Sequence, residues 1–248
     1  MTVLLEADNL VRRFGGLAAV GGVSLRLRRG CLHAVIGPNG AGKSTLVNLL
    51  SGELPPSEGR IRIAGQDAAG WPNWRFARAG VGRSFQHTDV LREMTVAENV
   101  RLAAQVGRTP ARRLLRPALR EAGPRRVAAA AMDRAGIGGL GARQASVLSH
   151  GQLRQVEIAM VLATDPKVLL LDEPLAGMGP EEAERIATLL RALAVDHAVL
   201  LIEHDMDVVF AVADLVTVMV DGTVLDEGPP AHVRASARVQ DAYLGHSA

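Results

Sequence analysis

Short apolar runs, separated by Gly, Pro and Asp, recur along most of this chain. In the N-terminal part, aliphatic and β-branched runs lie at residues 2–5, 23–27, 31–36 and 61–63, and runs of this kind bounded by turn residues predict strands. From residue 152 onward, helical patterns alternate with apolar runs at residues 168–171, 198–202 and 216–220. Continuous apolar strands between helices are typical of a parallel sheet covered on both faces. The pattern therefore predicts an α/β fold.

The segment between residues 100 and 146 differs in composition, being rich in Ala, Arg and Leu. It carries eight Arg and one Glu from Arg101 to Arg126, interrupted by Pro110, Pro117 and Pro124. The helical spacing of its apolar residues predicts a helical insert. A solvated helical face is favoured for its arginines over contact with anionic lipid headgroups. No internal repeat or long linker divides the chain, so we expect one domain.

Composition and charge exclude several classes of protein. The 248 residues are 48% hydrophobic and 22% charged, a globular balance that argues against disorder. The formal net charge is only +2, which does not indicate the dense cationic surface expected of a protein that binds nucleic acid. No apolar run reaches 18 residues, and Glu6 and Asp8 stand where a secretory signal would be basic. Cys31 is the single cysteine, which we interpret as a small core residue in a reducing, cytosolic protein.

The segment Gly37-Pro38-Asn39-Gly40-Ala41-Gly42-Lys43-Ser44-Thr45 satisfies the phosphate-loop pattern G-x-x-x-x-G-K-[ST]. It follows a predicted strand and precedes an apolar helix start at residues 46–50, as the motif requires. The glycines let backbone amides approach phosphate oxygens, and the helix N-terminus attracts the same anion. Lys43 would bind the β- and γ-phosphates and Ser44 would bind Mg²⁺. The segment predicts a site for the phosphates of a nucleotide together with Mg²⁺.

A second candidate motif, Asp172-Glu173, follows the buried run at residues 168–171. Ligands collect at the carboxyl ends of strands in open α/β sheets. Asp172 is suited to Mg²⁺, through water, and Glu173 to polarising the attacking water of phosphoryl transfer. An apolar run ending in two carboxylates is common, and only its pairing with the phosphate loop favours catalysis.

These segments resemble, in order and over nearly the whole chain, the ATP-binding subunit of ABC transporters. The resemblance adds Gln86, His204 and a signature segment, Leu148-Ser149-His150-Gly151-Gln152. It implies a P-loop NTPase (RecA-like) core with a mostly parallel sheet, an N-terminal antiparallel β portion and an α-helical subdomain. The implied arrangement is a single ABC ATPase domain over residues 1–248, with its core at 1–89 and 151–248 and its helical subdomain at 90–150.

The resemblance also implies roles for individual residues. Phe14 takes the place of the aromatic that stacks on adenine, although packing is an open alternative. Gln86 resembles the residue that links Mg²⁺ and water to the transmembrane partner, and His204 resembles the switch histidine at the γ-phosphate. Ser149, Gly151 and Gln152 begin a helix that would bind the γ-phosphate held by a second subunit. The resemblance thus implies an ATPase with Glu173, His204, Gln86 and Lys43 as catalytic residues.

Two positions depart from the family pattern. His150 stands where the second glycine of the signature is usual, although related importers often have a bulky residue there. Gly179 stands where Asp or Asn is usual, and the loss of side-chain hydrogen bonds there predicts weaker communication between two ATP sites. We expect reduced coupling and not an inactive enzyme.

Further segments are similar to the branched-chain amino acid importer subfamily, which includes urea and short-amide importers. They are Phe14-Gly15-Gly16-Leu17, Arg83-Ser84-Phe85-Gln86, residues 94–100, Ile202-Glu203-His204-Asp205-Met206 and Ala242-Tyr243-Leu244-Gly245. The implied partners are a second ATPase subunit, identical or homologous, two permease subunits and an extracytoplasmic solute-binding protein, with the chain peripheral on the cytoplasmic face of the membrane. One of Trp71 and Trp74 would line the permease groove, with core packing as the alternative. An envelope lipid or lipopolysaccharide exporter and a soluble non-transport ABC ATPase remain alternative functions.

Overall fold

The predicted strands and helices are present in a computed structural model, which describes residues 2–84, 90–105 and 122–244. The strands are β1 (Val3–Phe14), β2 (Leu17–Arg28), β3 (Cys31–Ile36), β4 (Glu58–Ile63), β5 (Gln66–Asp67), β6 (Val81–Arg83), β7 (Val168–Asp172), β8 (Ala198–Ile202), β9 (Leu215–Val220) and β10 (Thr223–Gly228). The helices are α1 (Lys43–Leu50), α2 (Asn73–Arg78), α3 (Val96–Ala103), α4 (Ala122–Arg134), α5 (His150–Ala163), α6 (Pro180–Ala194), α7 (Met206–Val212), α8 (Pro230–Ala235) and α9 (Ala237–Leu244).

The central sheet has six strands in the order β10-β9-β3-β8-β7-β6. The pairs from β9 to β6 are parallel, and only β10 is antiparallel, to its neighbour β9. Every residue of β7 and β8 is buried, which explains why these strands are continuous apolar runs. The predicted α/β class and mostly parallel sheet are confirmed.

The two faces of the central sheet belong to two apolar clusters. In β7, Leu169 and Leu171 pack in the cluster that contains the helices α3 to α9, whereas Val168 and Leu170 pack in the cluster that contains α1 and the N-terminal strands. Successive side chains of a strand point to opposite faces. The alternation places α1 with its preceding loop on one face and the other large helices on the other.

The N-terminal antiparallel portion is confirmed as a four-stranded sheet of order β2-β1-β4-β5. Its first two strands have 12 residues each, longer than the predicted runs at residues 2–5 and 23–27. The prediction stopped at polar and glycine-rich positions, but the strands continue past them through register shifts. Asn9 (φ 49°) lies in the register shift between Ala7 and Leu10, and Gly22 (φ 86°) lies opposite the next shift, between Leu10 and Val11. A β-bulge accommodates a residue that regular pairing would exclude.

The predicted helical insert corresponds to α3 and α4, joined to α5 by two 3₁₀ turns at Gly138–Leu140 and Ala145–Val147. Pro110, Pro117 and most of the arginines lie outside the described residues. Thr95 caps α3 with a complete capping box to Glu98, and α3 and α4 pack against α5. The signature helix α5 therefore connects the insert to the central sheet.

Within the described ranges, no helix combines the length and the apolar character needed to cross a bilayer.

Candidate functional site

The loop between β3 and α1 has a shape that requires glycine at two positions. A Cβ at Gly37 (φ 155°) would lie 2.1 Å from the Met219 carbonyl oxygen, and one at Gly42 (φ 93°) would lie 2.2 Å from the Ala19 carbonyl oxygen. Gly40 also has a positive φ, of 81°, but a Cβ there would meet nothing within 4 Å. Gly37 and Gly42 thus let the loop pack against β9 and β2, while Gly40 leaves its own side of the loop open.

The N-terminus of α1 follows this loop without a side-chain cap, because its N-cap residue is Gly42. The first amides of a helix have no acceptor within the helix, and they attract anions. Lys43 donates to the carbonyl oxygens of Gly37 (2.6 Å) and Pro38 (2.9 Å). Burial lowers the pKa of Lys43, and the nearby Glu173 and Asp172 act against this shift. The ammonium thus lies inside the loop, where it can neutralise a phosphate.

Asp172 is the last residue of β7 and is 1% exposed. Burial raises the pKa of its carboxyl group, although the Arg83 guanidinium, 3.9 Å from Oδ2, acts against this shift. Oδ1 is buried and has no hydrogen-bond partner among the described residues. Buried polar atoms are normally paired, so an unpaired carboxylate oxygen beside the phosphate loop indicates a place for a polar or cationic ligand.

Glu173 adopts a positive φ of 47°, which is uncommon for any residue but Gly, Asn and Asp. Backbone contacts hold it there: its amide donates to the Ile202 carbonyl at 2.9 Å, and its own carbonyl accepts from Arg154 Nη2 at 2.7 Å. Strained backbone of this kind is concentrated at functional sites. The side chain of Glu173 is half-buried.

His204 follows β8, the strand next to β7, and its side chain is 63% exposed. The preceding Glu203 is 1% exposed, and its carboxylate accepts from the amides of Leu175 (2.9 Å) and His204 (3.3 Å). Burial raises the pKa of Glu203 above its usual value, and these two backbone hydrogen bonds oppose the rise. Glu203 thus joins the loop after Glu173 to the position of His204.

Phe14 ends β1 and pairs with Leu17 across the two-glycine turn to β2. The ring is 46% exposed, and the Arg12 guanidinium lies 4.8 Å from its centroid. Ala19, two residues after Leu17, is the residue that Gly42 approaches. The hairpin that contacts the phosphate loop through Ala19 therefore also carries an exposed aromatic residue, on which an adenine could stack.

The signature segment lies at the N-terminus of α5. Ser149 and Gln152 form a complete capping box, and His150 Nε2 lies 3.2 Å from the Ala176 carbonyl oxygen. In the part of the chain that is described, no hydrogen bond or ion pair joins Ser149, Gly151 or Gln152 to residues 37–45. The fold therefore brings Lys43, Asp172 and Glu173 together. The signature segment instead contacts residues 176–182 of the same chain.

Of the remaining predicted residues, Gln86 lies outside the described residues. Gly179 is the N-cap of α6, with extended backbone (φ −72°, ψ 162°) and no side-chain cap. Cys31 is half-buried, and burial raises the pKa of its thiol, which disfavours a nucleophilic thiolate.

The sequence patterns indicate no role for Arg154 or Glu203. Arg154 donates to the carbonyls of Asp172, Glu173 and Pro174, and so fixes the loop that carries both carboxylates. A signal for Glu203 was available, because it follows an apolar strand as Asp172 does. No such signal marks the contact of Arg154 with this loop, because the carbonyls that it reaches are about 20 residues away in sequence.

The residues present fit a magnesium ion that is held together with a nucleotide. No group of three or more His, Cys, Asp or Glu side chains in the described ranges could hold a metal by itself. Mg²⁺ usually binds to one or two carboxylates and to substrate phosphates. The unpaired Asp172 Oδ1 and the exposed Ser44 hydroxyl provide oxygen ligands of that kind.

Comparison with known families gives two matches. Residues 20–176 match the family model described as ABC transporter. Residues 227–248 match the model described as branched-chain amino acid ATP-binding cassette transporter. The first match includes the phosphate loop, the signature segment and Asp172-Glu173.

Individual proteins are similar over almost the full length. The chain is 42% identical to the high-affinity branched-chain amino acid transport ATP-binding protein LivG of Escherichia coli K12, and 39% identical to the protein BraF of the same description from Pseudomonas aeruginosa, in each case over 98% of both chains. Among solved structures, the ADP conformation of MJ1267, an ATP-binding cassette of an ABC transporter, superposes with a TM-score of 0.89 at 33% identity, over 99% of this chain and 100% of that one.

Proposed function

Because this chain belongs to the ABC transporter family, as an ATP-binding cassette, we propose that it binds and hydrolyses ATP to power solute import, with branched-chain amino acids or a related amide as the solute. The observation that carries the ATPase proposal is the placement of Lys43, Asp172 and Glu173 around one loop, with Lys43 under the electrostatic influence of both carboxylates. Phosphoryl transfer needs mainly charge neutralisation and a positioned nucleophile, and this arrangement supplies both.

In the proposed reaction, residues 37–45 bind the phosphates, and Lys43 exchanges its carbonyl contacts for the β- and γ-phosphates. Ser44 and Asp172 would hold Mg²⁺, which supplies charge neutralisation when it is bound. Glu173 accepts a proton from the attacking water, and the exposed His204 contacts the γ-phosphate. Phe14 stacks on adenine. Gln86, outside the described residues, is proposed to link this site to the transmembrane partner.

Two chains are needed for a complete site. The motifs occur once in the sequence, and the N-terminus of α5 carries Ser149 and Gly151 away from the chain's own phosphate loop. We infer that Ser149, Gly151 and Gln152 bind the γ-phosphate held by a second ATPase subunit, identical or homologous. Binding of ATP then closes the dimer, and hydrolysis reopens it.

Import is favoured over the alternative functions by the similarity to LivG and BraF and by the match at residues 227–248. An envelope lipid exporter and a soluble ABC ATPase share the ATP chemistry and are not supported by these names. The inferred partners are two permease subunits and an extracytoplasmic solute-binding protein, and the inferred location is the cytoplasmic face of the membrane.

Trp74 is the better candidate of the two tryptophans for the permease groove. It is 57% exposed, whereas Trp71 packs edge-on against Phe76 with ring centroids 6.1 Å apart. Large exposed aromatics are enriched at protein interfaces. We propose that Trp74 contacts a permease helix. Loss of membrane recruitment in the Trp74→Ala variant, with Trp71→Ala as the comparison, would support this contact, and normal recruitment would contradict it.

The role of Glu173 is tested by Glu173→Gln, which keeps the size of the side chain and removes the base. We expect the variant to bind Mg-ATP and to dimerise, with turnover reduced at least about 100-fold, since a general base contributes that much or more. Steady-state release of phosphate measures the effect. Near-normal turnover would show that the water-activating role is misassigned.

The transport assignment is tested by purifying tagged Glu173→Gln protein with Mg-ATP from native membranes. The trapped dimer should retain two permeases, a second ATPase and an amino-acid or amide binding protein. The matched control adds Lys43→Ala to the same tagged chain, which should lose ATP binding and release these partners. Recovery of ribosomes, DNA or lipid-export proteins would reject import and leave the ATPase chemistry intact.

A further inference from the structure

A carboxylate of the same chain lies on the N-terminus of the signature helix. Ser149 Oγ donates to Glu182 Oε1 at 3.0 Å. Glu182 is the third residue of α6 and is half-buried. A Cβ built at Gly151 would lie 2.9 Å from both Cδ and Oε1 of Glu182. The space that glycine leaves open at position 151 is therefore filled by this carboxylate.

Ser149, Gly151 and the first amides of α5 together form what we call the anion site. The helix has 14 residues, and no acidic side chain lies in its own first turn. Helix N-termini stabilise negative charge through free amides and the helix dipole. Within the described structure of the single chain, the negative charge at this end comes from α6.

We propose that Glu182 occupies the anion site in the isolated chain and competes there with the γ-phosphate of the ATP bound to the partner subunit. This inference rests on the proposed function, which assigns that phosphate to Ser149 and Gly151. Glu182 must leave the anion site before the ATP-bound dimer closes, so it sets how much ATP is needed for dimerisation.

The chemistry of the serine hydroxyl makes the two contacts exclusive. A hydroxyl has one hydrogen to donate, and in the single chain this hydrogen is directed to Glu182. The oxygen of Ser149 meanwhile accepts from the Gln152 amide at 3.3 Å. Ser149 can therefore donate to the phosphate only after its hydrogen bond to Glu182 is broken. A carboxylate left in place would also repel the phosphate.

Release of Glu182 requires only a local change. The carboxylate is at the end of a flexible side chain, and the backbone before α6 contains Gly177 (φ 73°) and Gly179. A Cβ at Gly179 would meet nothing within 4 Å, so this segment has open space beside it. A second tie, from His150 to the Ala176 carbonyl, joins the same two elements and keeps them adjacent when Glu182 moves.

The test uses Glu182→Gln and Glu182→Ala, each in the full-length Glu173→Gln chain so that ATP is not consumed. The measurement is the ATP concentration at half-maximal dimerisation, by sedimentation or light scattering with Mg²⁺ present. We expect this concentration to fall about threefold to tenfold, because each variant removes the hydrogen bond from Ser149 to a charged group. The fall should be at least as large with Ala as with Gln, since Gln can still accept a hydrogen bond and Ala cannot.

Glu181→Gln is the matched control, because Glu181 lies in the same turn of α6 and is exposed, and its removal changes the net charge equally. Glu181 pairs with Arg185 at 3.5 Å and not with the signature segment. The Glu181→Gln variant should therefore need the same ATP concentration for half-maximal dimerisation as the parent. Binding of a fluorescent ATP analogue to the monomer should be unchanged in all variants, since the phosphate loop is intact. A thermal midpoint close to that of the parent shows that each variant is folded.

The outcomes separate the two proposals. If the parent dimerises with ATP and both Glu182 variants need the same amount of ATP or more, Glu182 is a structural contact and the competition is rejected. If the parent stays monomeric at every ATP concentration, a homodimer is excluded, and the titration is made with the homologous ATPase subunit recovered from native membranes. If the parent pairs with neither itself nor that subunit, the proposed function fails and this inference fails with it. A reduced ATP requirement in the Glu182 variants, with no change in Glu181→Gln, supports the competition.

Discussion

At the scale of single residues, the site depends on a few backbone conformations as much as on side-chain chemistry. Glu173 combines both, since the residue proposed as the base has a φ of 47°. Arg154 and the Ile202 carbonyl hold this conformation from two sides. A left-handed conformation costs a residue with a Cβ about 1 kcal/mol or more, and glycine almost nothing. Function at this position is therefore expected to oppose stability.

This opposition predicts a difference between two inactive variants. Glu173→Gly should be more stable than Glu173→Ala by about 1 kcal/mol, because both remove the carboxylate and only Gly relieves the strained φ. Denaturant unfolding of the two variants measures the difference. If Ala is equally or more stable, the strain at residue 173 is not present in solution.

At the scale of elements, α6 begins without a side-chain cap. Gly179 has the extended backbone of an N-cap residue, and a Cβ there would meet no atom within 4 Å. Nothing in the backbone requires glycine, because its φ is −72°. The departure from Asp or Asn noted in the sequence is thus a missing cap in a position that could accept one.

Gly179→Asp should therefore cap α6. We expect it to be more stable than Gly179→Ala by about 1 kcal/mol, since the two variants share the backbone and only Asp accepts from the first-turn amides. If Gly179 also weakens coupling, the ATPase rate and its cooperativity should rise in Gly179→Asp. Unchanged kinetics would limit the effect of residue 179 to stability.

The junction between α4 and β8 contains a titratable contact. His197 donates from Nδ1 to the Pro166 carbonyl at 3.0 Å and accepts at Nε2 from Arg134 at 2.8 Å, as a neutral ring must. Burial, with the charge of Arg134, lowers the pKa of His197, and this is opposed by the Pro166 carbonyl and Asp196. The contact therefore requires the neutral imidazole.

The free energy of unfolding should consequently fall as the pH decreases below about 6.5. In this range His197 is protonated in the unfolded chain but stays neutral in the folded chain. His197→Gln keeps a donor and an acceptor without titrating, so it should reduce this loss. Since burial also lowers the pKa of His33, part of the pH dependence should remain. Urea unfolding of the parent and of His197→Gln at pH 7.5 and pH 5.5 measures this loss. An identical pH dependence in the two proteins would exclude His197 as a cause of the loss.

At the scale of the whole molecule, one apolar cluster extends from the helical insert to the central sheet. It contains Val100 of α3, Ala131 of α4, Val156 of α5 and Leu171 of β7. Helix α5 packs against α3 and α4 of the insert and also against α6. Among the described residues, the apolar cluster is therefore continuous between the insert and the rest of the fold. A single domain over residues 1–248 stays a prediction, which unfolding of the full chain tests.

The full chain should accordingly unfold in one cooperative transition. We expect the calorimetric enthalpy, about 0.7 kcal/mol per residue near 60 °C, to equal the van't Hoff enthalpy. Scanning calorimetry of the protein without nucleotide is the measurement. Two separated transitions would show that the helical insert and the core unfold independently.

The sequence by itself determined the fold class, the parallel sheet and the positions of the phosphate loop and of Asp172-Glu173. These features are local, because apolar runs fix the strands, and the motif fixes glycines and lysine within nine residues of chain. The sequence did not determine the full length of β1 and β2, since strand pairing carried them through bulges that read as breaks.

The tertiary structure alone decided which distant residues complete the site. Arg154 is fixed to the carbonyls after β7, Glu203 joins Leu175 to His204, and Glu182 lies on Ser149 and Gly151. Many of these contacts involve backbone atoms or residues far apart in sequence, so no periodicity or spacing records them. Their physical basis is the convergence of strand ends and helix N-termini at one edge of a parallel sheet, which only the folded chain creates.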